Sequence, residues 1–184
     1  MPTDPRHVGF DKLKPTDHTW FLFRHDDELR DAVHAFTQAA LARDHAALFV
    51  HRFGGDAEAL AFLRGGPDYG SLLDRHFFLL ARHGDAFEGT RGVIDYQHVT
   101  RTVADLLGTV RATGRQGLSI FVDASRSYLA SRRHEEWFAF ERWLGQRLRQ
   151  QVGLVCAYAE ADLARADVRR HVETTHMEFG NAAP

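Results

Sequence analysis

Cysteine is nearly missing from this chain. Cys156 is the only one in 184 residues, so no internal disulfide can form and a reducing compartment is expected. Long apolar runs are missing too: none approaches the roughly 18–20 residues that cross a bilayer. The opening Met1-Pro2-Thr3-Asp4-Pro5 lacks the basic-then-apolar order of a signal peptide. The expected location is cytoplasmic, with no membrane partner. Charge of one sign is also lacking. A formal net charge of −2 supplies no field that would hold a polyanion, so nucleic acid is not an expected partner.

The known chemical motifs are absent in turn. A phosphate loop needs glycines, a lysine and a Ser/Thr between its first strand and helix. The matching turn here reads Arg24-His25-Asp26-Asp27-Glu28-Leu29, whose three acids repel a triphosphate. ATP hydrolysis by that route is not expected. No Gly-x-Gly-x-x-Gly follows a strand, so no dinucleotide cofactor is expected either. No Gly-x-Ser-x-Gly elbow is present. Ser119 and Cys156 fall inside apolar runs, where a cysteine is most often an inert core residue. Twelve histidines give no strong ligand spacing. His134-Glu-Glu-Trp137 lacks the second histidine of a zinc helix, and His171 and His176 stand five apart. Neither a catalytic nor a metal site is expected.

What is present is an ordinary globular composition, 44% apolar and 26% charged, which excludes global disorder and fits one domain. Residues 1–17 hold three of the five prolines and read as an irregular lead-in, 18–179 as the domain and 180–184 as a tail. Short apolar runs at 18–24, 46–53, 76–82, 118–123 and 152–159 predict strands. Helical spacing predicts helices over 26–43, 57–64 (capped by Asp56), 95–114 (opened by Asp95, closed by Gly114), 137–148 and 163–172. Residues 83–92 read as turn-rich, 125–133 as a polar loop, and 177–179 as a short last strand. Strands alternating with helices predict a three-layer α/β fold around a mostly parallel sheet, with helices on both faces.

In such sheets ligands bind beyond the C-terminal strand ends. The residues expected there are Arg24, His51, Arg52, Asp123, Ser125 and Tyr158, a mixture of cations, a carboxylate and an imidazole that suits a small polar or anionic molecule. The plainer alternative is a solvated rim whose charges pair with one another. An unfamiliar enzyme built from His51, Asp123 and Glu160 is a third reading.

The order of elements resembles the MEDS family, sensory domains of methanogen and methylotroph regulators related to RecA- and KaiC-type ATPases but lacking their phosphate loop. The resemblance rests on His18-Thr-Trp-Phe-Leu-Phe, Asp26-Asp-Glu-Leu, Ala46-Ala-Leu-Phe-Val, Leu118-Ser-Ile-Phe-Val-Asp, Trp137-Phe-Ala-Phe-Glu-Arg-Trp-Leu and Leu154-Val-Cys-Ala-Tyr; residues 54–92 match poorly. It implies a RecA/KaiC-like fold, a signal-sensing role, and family-typical residues at His18, Glu141 and Tyr158. Such domains are usually fused to DNA-binding or kinase modules. With no such module in this sequence, output is expected through a protein partner such as a kinase or transcriptional regulator, or through a homo-oligomer. A ligand-free scaffold is the alternative.

Overall fold

Five of the apolar runs form strands, and all five are parallel. A computed structural model describes residues 9–14, 17–147 and 152–180. The rest of the expected lead-in and tail, and Leu148, lie outside the described residues. The strands are β1 (His18–Phe23), β2 (His45–His51), β3 (Phe78–Arg82), β4 (Gly117–Val122) and β5 (Val152–Ala159), in the order β1-β5-β4-β2-β3. The helices are α1 (Asp26–Ala42), α2 (Asp56–Phe62), α3 (Tyr69–Asp74), α4 (His83–Phe87), α5 (Tyr96–Ala112), α6 (Ser125–Ala130), α7 (His134–Arg147) and α8 (Ala166–Gly180). No described helix is long and apolar enough to cross a membrane.

Both faces of the sheet are covered, which is why the strands read as continuous apolar runs. Alternate residues nevertheless serve different layers. Leu48, Val50, Ile120, Val122, Leu154, Cys156 and Tyr158 pack under α4–α8. Phe21, Phe23, Ala47, Phe49, Phe121, Val155 and Ala157 pack under α1–α3. The chain order explains the division. The connections β1→β2 and β2→β3 cross the sheet in one direction and place their helices on one face. The connections β3→β4 and β4→β5 return and place theirs on the other, as right-handed crossovers require. Neighbouring strands therefore send their chains to opposite faces at three points, between β2 and β4, between β1 and β5 and between β2 and β3.

Asp95 caps α5 as expected, accepting from the backbone N–H groups of Gln97 and His98, and Gly114 follows it at φ +87°. Asp56 is not a cap: it is the first residue of α2, and Gly55 precedes it. Four stretches differ from expectation. The polar loop contains α6, which buries Tyr128 and Leu129 one turn after Ser125. The turn-rich stretch contains α4, with Ala86 and Phe87 in the core. The expected strand at 177–179 is a continuation of α8. A strand there would break a helix already committed by Val168, Val172 and His176, which bury at four-residue intervals. In the expected lead-in, Phe10–Lys12 forms a 3-10 turn that buries Phe10 against Phe21, Phe36 and Phe121.

Candidate functional site

The C-terminal strand ends carry a network of charges at two of the points where the chain diverges. Between β2 and β4, Arg52 donates to the fully buried Asp123 and, through Nη2, to Asp26 Oδ1 at 2.9 Å. Arg126 at the start of α6 reaches the same Asp26 oxygen at 3.7 Å. Between β1 and β5, Arg24 Nε donates to Glu160 Oε2 at 2.5 Å. Asp26 therefore joins the first turn of α1 to β2 and α6. Arg52 is largely buried, whereas Arg24, Asp26, Arg126 and Glu160 are about half exposed. Burial pushes the Asp123 carboxyl up to about 6, against the pull of Arg52. Its Oδ1 has no hydrogen-bond partner among the described residues. On the solvent side Arg52 and Arg126 share one half-exposed carboxylate, Asp26.

Two other expected residues lie close by in different roles. His51 is buried and its Nε2 meets Asp56 Oδ1 at 3.1 Å, tying β2 to the start of α2. Ser125 donates to the Ala157 carbonyl at 2.6 Å, anchoring α6 to β5. In the turns themselves, carboxylates of the chain hold backbone N–H groups. The Arg24 N–H is held by Glu28 at 2.8 Å, and the Gly54 N–H by Glu58 at 3.0 Å. In both turns a carboxylate of the chain occupies the place that an anion would need.

Tyr158 belongs elsewhere. By alternation along β5 it points to the opposite face from Val155, Ala157 and Ala159. There its hydroxyl accepts from Trp137 Nε1 at 2.9 Å and donates to Glu141 Oε2. His171 Nε2 donates to the same oxygen at 2.6 Å, while Thr175 donates to His171 Nδ1 at 3.2 Å. The other carboxylate oxygen faces His176 Nε2 at 3.6 Å. His18 Nε2 lies 3.4 Å from Cys156 Sγ. One donor atom each from His18, Glu141, Cys156 and His176 fall within 4.8 Å of one another, and all four residues are buried. Although burial pushes the Glu141 carboxyl up, the imidazoles of His176 and His171 hold it down to about 2. Burial, with His176 beside it, lowers His18 to about 3, and burial next to Glu141 pushes the Cys156 thiol up.

With strand order and both clusters in place, the comparison with protein families is decisive. The model of the MEDS family, described as the methanogen/methylotroph DcmR sensory domain, matches residues 17–177. The chain belongs to the MEDS family. Comparison with curated proteins finds no matching relative. The MEDS match spans both clusters, from His18 to His176. Sequence spacing did not unite the buried donors of this MEDS domain because they come from β1, α7, β5 and α8. A signal was present in two of them. Glu141 falls one turn after Trp137, on the apolar face of α7, and His176 one turn after Val172 on the buried face of α8.

Proposed function

We propose that this MEDS domain senses a small anionic or polar molecule at the strand-end crevices and passes the change to a protein partner, such as a kinase or transcriptional regulator, without hydrolysing ATP. The observation that carries this reading is the two-sided engagement of Arg52. Asp123 holds it from the buried side and Asp26 from the solvent side. A ligand anion competes with Asp26 for Arg52 and Arg126. When it wins, the start of α1 is released from β2 and α6, which converts occupancy into a change of helix position. The shift in population equals the ligand's preference for the released arrangement, so the competition sets the response.

The test is a thermal-shift panel of small carboxylates, phosphates and neutral polar compounds on the intact chain. A ligand that binds only the native state stabilises it by about 2.7 kcal/mol at one hundred times its Kd. Asp26→Asn removes the competitor and tightens binding. Arg52→Lys keeps the charge but loses the two-sided fork, and abolishes the response. ATP gives neither turnover nor a shift. If no compound stabilises the chain, or Arg52→Lys responds like the wild type, the sensing site is elsewhere and the scaffold reading takes its place.

A further inference from the structure

We propose that His18, Glu141, Cys156 and His176 form a buried four-coordinate site for a divalent transition-metal ion of the zinc class. The donor set is one thiol, two imidazoles and one carboxylate, a mixture of the ligand types that tetrahedral zinc takes. Zinc bonds of about 2.0–2.3 Å in a tetrahedron require ligand–ligand edges of about 3.3–3.6 Å. Two edges already have that length: His18 Nε2 to Cys156 Sγ at 3.4 Å and His176 Nε2 to Glu141 Oε1 at 3.6 Å. For one donor atom from each of the four residues, no separation exceeds 4.8 Å.

The second observation is a pair of unsatisfied atoms. His176 Nδ1 lies 2.9 Å from the Val172 carbonyl, which can only accept, so Nδ1 carries the proton and donates. In the neutral imidazole this fixes the tautomer and leaves Nε2 a lone pair. Facing that lone pair is Glu141 Oε1, itself an acceptor. Neither atom has a hydrogen-bond partner among the described residues, and both residues are at most 2% exposed. Two buried acceptors aimed at each other are costly unless a proton or a metal ion lies between them, and a metal ion is the one that would also use the thiol and the second imidazole beside them. The surrounding groups have the form of a ligand-orienting shell: Tyr158 and His171 both donate to Glu141 Oε2, leaving Oε1 turned inward. Loading the ion releases the Cys156 thiol proton to the buffer, since the thiolate is the ligand.

The test refolds the intact chain from denaturant with Co2+ as a spectroscopic stand-in, then displaces it with Zn2+. The expected spectrum has tetrahedral d–d bands in the visible and a thiolate-to-metal charge-transfer band in the near ultraviolet, saturating at one ion per chain. Cys156→Ser removes the charge-transfer band, and His176→Gln weakens binding by at least roughly tenfold. The exposed His25→Gln leaves both unchanged. Circular dichroism confirms that each variant has folded; should the buried variants fail to fold, the wild-type spectrum and stoichiometry decide alone. A folded wild type without these bands overturns the site and leaves a metal-free hydrogen-bond network. Bands that survive both Cys156→Ser and His176→Gln overturn it equally, because the ion is then bound elsewhere.

Discussion

Phe121→Ala tests the architecture at its centre. Phe121 lies on β4, the middle strand, and is fully buried. Its ring meets those of Phe36, Phe49, Phe10 and Phe21, with centroids 5.4, 6.1, 6.2 and 6.3 Å away. Losing a fully buried large apolar side chain forfeits about 1.5–3 kcal/mol of transfer free energy. A void of order 100 Å³ adds about 2 kcal/mol if it does not relax, at roughly 24 cal/mol per Å³. Relaxation is restricted here, because Phe21 and Phe49 are fixed on paired strands and Phe36 on a helix packed across them. The expected loss is therefore in the upper half of the usual range of about 3–5 kcal/mol. With a urea slope of about 2–3 kcal/mol per M, the unfolding midpoint falls by about 1.3–2.5 M. A loss below about 1 kcal/mol, far outside that range, would mean that the ring is not enclosed by these four neighbours. The placement of β4 at the centre of the sheet would then be wrong.

Two further expectations concern the strand-end network. Arg52→Met leaves Asp123 buried without its counter-charge and should cost about 3–5 kcal/mol near neutral pH; adding Asp123→Leu should recover most of that, and a double-mutant cycle showing simple additivity would refute the pairing. Asp123 also fixes a pH dependence. Its carboxyl is pushed up to about 6 from an ordinary 3.8, so the folded state holds the proton more tightly than the unfolded chain. Its contribution is greatest at low pH and declines as pH rises from about 4 to about 6, by roughly 3 kcal/mol in total. His18, lowered to about 3, acts in the opposite sense across about 3 to 6.5, so the measurement is the difference between wild type and Asp123→Asn. Urea midpoints at several pH values should show that difference changing between pH 4 and 6 and constant above. A gap that does not vary with pH refutes the assignment.

Much of the fold was legible because the strands are short apolar runs set between helical periods. The His18–Phe23 strand and the Asp95 cap were read from the residues alone. What was missed is short or terminal. α6 has only six residues, too few for a period to show through a polar composition. The turn around Phe10 is fixed by tertiary contacts with aromatic rings from α1, β1 and β4, which no local pattern reveals. The apolar spacing that predicts a helix ending at Val172 is interrupted by Glu173 and Thr174. Both are exposed, while the buried stripe continues through Thr175 and His176.

The candidate site was harder to read because a strand buried on both faces hides its own alternation. Arg24, His51, Arg52, Asp123 and Tyr158 all fall at the ends of apolar runs, which suggests one rim. Alternation divides them. Arg52 bridges Asp123 to Asp26 at the start of α1, and His51 meets Asp56 at the start of α2. Tyr158 turns under α7 and α8, where Cys156, two residues earlier in β5, shares its face. Strand order then decides the partners. Only because β5 lies beside β1 does Cys156 come within reach of His18, and only because α7 and α8 cover that pair do Glu141 and His176 complete the set. The polar residues that looked like one site in the sequence thus hold different helices: the strand-end network secures α1, α2 and α6, while the buried donors join α7 and α8 to β1 and β5.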